Sequence, residues 1–562
     1  MFLLRWFSSY LPLQNPIGFG ASDFIELGLA VLLATLTLAG RPWIEPPARK
    51  LAERKISCLL LLALLPVALR LALLPHHPIP SPDVYDEFGH LLTADTLLHF
   101  RLANPLHPLP QFFETFYTLQ EPSYSSIYAI GQGAALALGR LIFGHPWAGV
   151  VLSVAAFCSL CFWMLRGWTT PGWALLGGVL AVIQFGPLNE WMNGYWGGAL
   201  SAAAGCLVFG ALPRLQNGGR TRDAVVLGLG LGISLLTRPY ESIFLLLSVI
   251  LFFLPAILTL LRAAPVVVLV VIPAIALTLI QNKQATGSWT TPPYLLGRYQ
   301  YGVPATFTFQ PNPIPHRALT AQQETSYRSQ VSYHGEGTDT LRRFFERLEY
   351  RVRFYRFFFF APLYLALPLF LIGLREYRFV WVLVTVFLFG LGANFYPFFF
   401  PHYIAAVTCL FVLMSITGLE RLGRWPAGEE AARLIVFLCI AHFVFWYGLH
   451  VFDGREFSLA LRHYETWNTI NHRNPERRIL VNQELAQVQG KLLVFVRYSP
   501  LHIFQDEWLY NAADIDAARI VWARDLGEPE NEKLRRYYPD RTVILLEPDF
   551  RPPRLGLYQA EP

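Results

Sequence analysis

Residues 56–75 read "ISCLLLLALLPVALRLALLP", and residues 81–108 read "SPDVYDEFGHLLTADTLLHFRLANPLHP". The first stretch is an apolar run of membrane-spanning length. The second brings Asp83, Asp86, Glu87, His90 and Asp95 together a few residues after that run ends. Reading the first as a span and the second as chain just emerged from it sets the reading of everything else.

Apolar runs recur throughout, at roughly 23–40, 57–75, 145–165, 172–187, 195–212, 223–237, 242–261, 264–281, 357–374, 379–396, 402–418 and 434–451. Of the 562 residues, 54% are hydrophobic and only 15% charged, against about 25% charged in soluble domains. Backbone groups in lipid must bond within their own segment, so these runs are expected to be helices. No regular series of alternating ten-residue segments indicates a β-barrel. The expected fold class is a mainly α, polytopic helical bundle of about 11–13 transmembrane helices with a small C-terminal α/β domain. Residues 124–143, "YSSIYAIGQGAALALGRLIF", are expected to form a surface or re-entrant helix, because counting them as a span would reverse every later loop.

Charge supports that count. One set of connectors holds Arg49, Lys50, Arg54 and Lys55; Arg166; Arg214, Arg220 and Arg222; Arg262; Arg375 and Arg378; Arg421, Arg424 and Arg433. They alternate with connectors nearly free of Lys and Arg, interrupted by Arg238. The basic set is expected in the cytoplasm. The regions 76–123, 282–356 and 452–562 then face the other side. The division is a membrane segment with its basic connector (1–56), a transmembrane domain (57–451) and an extracytoplasmic α/β domain (452–562). The net charge of +6 is explained by the basic connectors, and no nucleic-acid partner is expected. No cleavable signal peptide stands out at the start. All six cysteines lie in apolar stretches, so no disulfides are expected; Cys158 and Cys161 are read as helix packing.

In the tail, "KLLVFVRYS", "ARIVWARDL" and "RTVILLEPD" read as strands, with a helix over "PENEKLRRYYPD". The glycine run "GLGLGISLL", Gly228 to Leu236, lies inside an apolar span and reads as close helix packing rather than a phosphate loop.

From Tyr85 to Arg101 the pattern suits an amphipathic helix on the outer membrane surface, with Asp86 and His90 four apart on one face. Carboxylates beside a low-dielectric phase are costly unless paired or used. The same side collects "NEWMNGYWGG" (189–198), "TRPYES" (237–242), "NKQATGSWTTPPYLLGRYQYG" (282–302) and "FPHYIA" (400–405). Trp191, Tyr195, Trp196, Trp289 and Tyr294 suit either an interfacial belt or sugar stacking. Arg238, at the outer end of a span, needs a partner such as Glu241 or a lipid phosphate. The arginines of "RRFFERLEYRVRFYRFFFF" (342–360) suit lipid headgroups. A carboxylate acting as general base beside cations that stabilise a leaving phosphate would support transfer from a lipid-phosphate donor. The expected roles are Asp86 as base, Glu87 as its acidic partner, His90 orienting Asp86, and Arg238, Lys283 and Arg298 as phosphate contacts. Oxygen ligands at Asp83, Asp86 and Glu87 also suit Mg²⁺ or Mn²⁺.

"DVYDEF" after the first long span, the helix behind it and the paired-aromatic, multi-span core resemble the GT-C superfamily of membrane glycosyltransferases. The likeness is to bacterial members of the protein-mannosyltransferase and aminoarabinose-transferase type, of glycosyltransferase family 39 kind. "WMNGYWGGALSA", "TRPYES", "GSWTTPPYLLGRYQYGVPATFTFQPNP" and "EWLYNAADIDAARIVWARDLG" carry the same resemblance, over roughly residues 57–555. It implies a polyprenyl-phosphate sugar donor, a lipid, glycan or protein acceptor, the bilayer of a bacterial cytoplasmic membrane, an acidic base at Asp86 and no obligatory metal. It also implies that His402 and Tyr403, in "PHYIAAVTCLFVL", face the donor phosphate. The Lys-Pro-Pro sequence common in the family is absent, and "SYSSIYAIGQG" stands there instead. The alternatives are a transporter or flippase of lipid-linked saccharides, a polysaccharide polymerase or ligase, and a scaffold.

Overall fold

The computed structural model describes residues 21–82, 84–335, 339–451 and 476–559. Asp83 and the start of the tail region, 452–475, lie outside the described residues. The chain is a mainly helical, multi-pass membrane protein with a small C-terminal α/β domain. Six helices among the described residues are long and apolar enough to cross a membrane, and four further apolar helices are shorter.

The helices, in chain order, are α1 (Ala21–Glu53), α2 (Lys55–Ala72), α3 (Tyr85–Leu98), α4 (Ile130–Phe143), α5 (Trp147–Leu165), α6 (Pro171–Phe185), α7 (Ala199–Gln216), α8 (Thr221–Thr237), α9 (Pro239–Phe252), α10 (Ile257–Thr286), α11 (Pro293–Tyr301), α12 (Ala321–His334), α13 (Leu341–Val352), α14 (Leu367–Phe370), α15 (Tyr377–Ala393), α16 (Thr408–Leu422) and α17 (Gly428–Val451). Their connectors sort by charge into two ends. At one end Arg166 donates to the Ala52 carbonyl at 3.1 Å, Thr169 to Glu420 at 3.2 Å, and Arg433 to Glu45 at 3.2 Å. Arg421 lies 3.8 Å from Glu376. At the opposite end His77 and His450 meet at 4.7 Å between rings, and Tyr195 donates to the Pro80 carbonyl at 2.8 Å. The alternation of basic and non-basic connectors is therefore a property of the folded bundle.

Small residues set the helix crossings. A Cβ on Gly205 would strike the Ala406 carbonyl, and one on Gly230 would approach the Ala204 carbonyl to 2.9 Å. The glycine run 228–236 is packing, since Gly228 meets Val267 and Val270 of α10. Gly131 abuts Leu236 and Thr237, which brings the start of α4 against the end of α8.

Several boundaries differ from the sequence reading, each for a local reason. Residues 124–143 do not make one helix: a short antiparallel pair, β1 (Thr118–Leu119) with β2 (Ser125–Ser126), precedes the 14-residue α4. The expected span 357–374 is a series of 3₁₀ turns with the single-turn α14, because Pro362 and Pro368 each remove a backbone donor. Helix α10 runs through Asn282 and Lys283 to a left-handed cap at Gly287, so the start of the expected second loop is still helix. Helix α3 does not lie on lipid. Its Leu92 packs with Phe112, Phe113 and Leu493, and its Phe88 stacks on Tyr510 at 3.6 Å, so the C-terminal domain covers it.

In that domain α18 (Glu476–Gln487) leads into β3 (Leu492–Val496), β4 (Ile520–Arg524), α19 (Glu528–Tyr537), β5 (Thr542–Glu547) and β6 (Arg554–Leu557). The sheet order is β4-β3-β5-β6, with β3 parallel to both neighbours and β6 antiparallel to β5. Strand β6 is masked in the sequence by Pro552, Pro553 and Gly556, poor strand formers. The ends of β3 and β4 point at the membrane domain. Arg524 donates to the Glu114 carbonyl at 3.2 Å and to Gln322, and Asp95 of α3 accepts from the Ala513 amide at 2.7 Å.

Candidate functional site

The site begins in the first turn of α3. Glu87 is buried and accepts two backbone hydrogen bonds, from Val84 N at 3.2 Å and Tyr195 N at 2.7 Å. It closes the N-terminus of its own helix and ties the 189–198 loop to it. Asp86, one residue earlier, is partly exposed and accepts from the Tyr128 hydroxyl. The sequence permits this approach at Gly89, where a Cβ would stand 2.8 Å from the Tyr128 ring. Burial pushes the Asp86 carboxyl up to about 6. The Tyr128 hydrogen bond and the positive charge of Arg238 oppose that rise, and the Glu87 charge adds to it.

His90 lies on the same face, with its ring 4.4 Å from that of Tyr128. Burial, reinforced by the charge of Arg238, lowers its pKa to about 3, so the imidazole is neutral. Its Nδ1 is buried without a hydrogen-bond partner among the described residues. The residue that orients Asp86 is Tyr128, not His90 as expected.

Arg238 occupies the break between α8 and α9, which Pro239 opens. Its guanidinium is 3.9 Å from Glu241 and 5.1 Å over the Tyr403 ring, and it donates no side-chain hydrogen bond to a described residue. His402 is buried against Trp196 at 4.8 Å and Tyr403 at 4.8 Å, and its Nε2 also lacks a hydrogen-bond partner among the described residues. Arg238 lies within electrostatic reach of Asp86 and of both histidines. A carboxylate, an arginine with unengaged donors and two buried imidazoles with orphan nitrogens therefore converge at the non-basic end of the bundle.

The structure does not bring every expected residue into this cluster. Lys283 is exposed and donates to the Gly287 carbonyl at 2.6 Å, capping its own helix. Arg298 donates to the carbonyls of Pro304 (3.2 Å) and Ala305 (2.8 Å), holding its loop, and lies 5.2 Å over Tyr294. Trp191 and Tyr195 sit in the protein core rather than at an interfacial belt, while Trp289 is exposed. Arg347 pairs with Asp339 at 2.5 Å, and Arg351 donates to the Ala393, Tyr396 and Pro397 carbonyls, so these two are engaged inside the protein. Among the described residues no group of three or more His, Cys, Asp or Glu side chains is placed to hold a metal ion.

Sequence reasoning missed Tyr117, Tyr128 and Tyr396, and singled out Tyr294 without its partner. Tyr128 holds Asp86, Tyr117 packs edge-on against Tyr85 and Tyr128, and Tyr294 bonds Tyr396 at 2.8 Å between hydroxyls. The signal was the polar, aromatic stretch "FYTLQEPSYSSIY" (116–128), out of place before an apolar helix.

No family model matches the chain, and no curated protein matches it. Among solved structures it resembles ArnT from Cupriavidus metallidurans in the apo state, with 11% identity over 87% of this chain and 92% of that one, TM-score 0.48. The same enzyme bound to undecaprenyl phosphate matches at 10% identity over 86% and 92%, TM-score 0.48. The archaeal oligosaccharyltransferase AglB from Archaeoglobus fulgidus, in complex with an inhibitory peptide and a dolichol-phosphate, matches at 12% identity over 88% and 69%, TM-score 0.41.

Proposed function

We propose that this protein transfers a sugar from a polyprenyl-phosphate-linked donor to an acceptor at the outer face of a bacterial cytoplasmic membrane. The observation that carries the proposal is Asp86, held by Tyr128, within electrostatic reach of Arg238, whose guanidinium pairs with Glu241 at 3.9 Å and donates no hydrogen bond to a described residue. In this reading Asp86 takes a proton from an acceptor hydroxyl or amine as that group attacks the anomeric carbon. The bond from the anomeric carbon to the phosphate oxygen breaks, and the polyprenyl phosphate leaves as an anion. Arg238 hydrogen-bonds and neutralises the developing phosphate charge, and His402 offers Nε2 as a donor in the matching tautomer. Glu241 holds the guanidinium from the other side.

Glu87 is assigned a positioning role, since two backbone amides already engage its carboxylate. Lys283 and Arg298 are assigned to loop structure. The C-terminal domain, seated on α3 through Phe88 and Asp95, faces the same aqueous side as the site.

The test is sugar release from radiolabelled polyprenyl-phosphate sugars by the purified full-length protein. Asp86→Asn is expected to lower turnover by about 10²–10⁴-fold, the usual range for general-base loss. Arg238→Gln is expected to weaken binding of the unglycosylated polyprenyl phosphate. Wild-type rates in both variants would refute the mechanism.

A further inference from the structure

Tyr117 adopts a backbone conformation that its side chain does not favour. Its φ is +56°, in the left-handed region that glycine and asparagine enter readily and a ring-bearing residue seldom does. The residue stands just before β1, and its carbonyl accepts from Ile127 N at 3.1 Å, which locks the turn. The turn itself would form at less cost with Gly at this position. Strain that the surroundings maintain marks a place where the side chain is needed.

The ring is clamped edge-on by Tyr85 at 4.7 Å and 83°, and by Tyr128 at 5.9 Å and 89°. Tyr128 is the residue that holds Asp86. The Tyr117 side chain remains half-buried, and its hydroxyl makes no hydrogen bond to a described residue. Four groups from three separate elements act on it electrostatically: Tyr85 and Asp86 from α3, Tyr396 from the connector after α15 and Tyr294 from α11. A rigid, unengaged phenol therefore stands beside the proposed base and in reach of the Tyr294–Tyr396 pair.

We infer that Tyr117 is a substrate-contact residue whose hydroxyl hydrogen-bonds a sugar hydroxyl held between Asp86 and the Tyr294–Tyr396 pair. The inference rests on the glycosyl-transfer reading and adds a contact to the sugar, distinct from the phosphate contacts at Arg238 and His402. A phenol both donates and accepts, as recognition of a neutral polyol requires.

The experiment uses full-length Tyr117→Phe, which keeps the ring and its clamp. It compares turnover of radiolabelled polyprenyl-phosphate hexoses, binding of unglycosylated undecaprenyl phosphate, and Tm. The expected result is a fall in kcat/KM of roughly three- to tenfold, the scale of one lost hydrogen bond, with undecaprenyl phosphate binding and Tm unchanged. Tyr117→Asn, whose side chain tolerates the left-handed backbone, is the second variant and is expected to fold and to lose activity likewise. A kcat/KM within twofold of wild type, or an equal loss in binding of the unglycosylated lipid, overturns the assignment alone. Wild-type protein that neither binds nor turns over any of these donors overturns the underlying reading and the assignment with it.

Discussion

Replacing Asp86 by Asn is expected to stabilise the protein while lowering turnover by orders of magnitude. Burial raises the Asp86 carboxyl from its ordinary value of 3.8 to about 6. At pH 7–8 the ionised group therefore disfavours the folded state, by up to about 3 kcal/mol at 1.36 kcal/mol per tenfold change. Asp86 keeps part of its surface exposed, so this is an upper bound. Asparagine retains an oxygen to accept from Tyr128, so the hydrogen bond need not be lost with the charge. In a chain of this length the gain corresponds to a Tm increase of at most about 2–3 °C. The pH dependence follows from linkage. Between about pH 4 and 6 the folded state binds more protons at this position than the unfolded chain does, so the wild type loses stability as pH rises through that window. The advantage of Asp86→Asn should be full above about pH 6.5, shrink below pH 6 and vanish near pH 4, where the carboxyl is neutral in both states. Thermal unfolding of detergent-purified wild type and variant across pH 4–8 measures it. A variant less stable than wild type at pH 8, or an advantage that persists to pH 4, would refute the claim that Asp86 is held at a cost for the sake of chemistry.

Three further outcomes follow from other contacts. Tyr128→Phe removes the donor that lowers the Asp86 pKa, so the acidic limb of the kcat/KM profile, near pH 6 in the wild type, should move to higher pH; an unmoved limb would show that Tyr128 does not tune the base. Glu87→Gln leaves one carbonyl oxygen where the carboxylate accepted from Val84 and Tyr195 through separate oxygens, so about 1–3 kcal/mol of stability should be lost, with a smaller drop in turnover than for Asp86→Asn. Arg524→Ala strands the Glu114 carbonyl and Gln322 at the interface between domains; faster proteolysis or hydrogen exchange in 476–559, with the transmembrane helices unaffected, is the expected readout.

The helical membrane character, the sorting of basic connectors to one end and three of the four C-terminal strands were legible in the amino-acid order alone. Each depends on a signal that lies along the chain: span-length apolar runs, charge between them, and short β-branched runs bounded by turns. Asp86 stood out for the same reason, as a carboxylate placed next to lipid. Breaks inside apolar runs were harder to read. Pro362 and Pro368 turned an expected span into 3₁₀ turns, although other spans carry Pro66 or Pro273 within intact helix.

What only the tertiary structure decided is which polar groups are left without partners. Glu87 and Asp86 are neighbours in sequence, yet Glu87 is engaged by the backbone of Val84 and Tyr195, 108 positions away in the latter case, while Asp86 accepts from the Tyr128 hydroxyl. Lys283, Arg298, Arg347 and Arg351 look as available as Arg238 in the sequence, but nearby carbonyls or carboxylates engage all four. Composition and periodicity report where a side chain sits along its own element. Whether its hydrogen bonds are satisfied depends on chain segments brought from far away, and that satisfaction separates a structural charge from one free to act on a substrate.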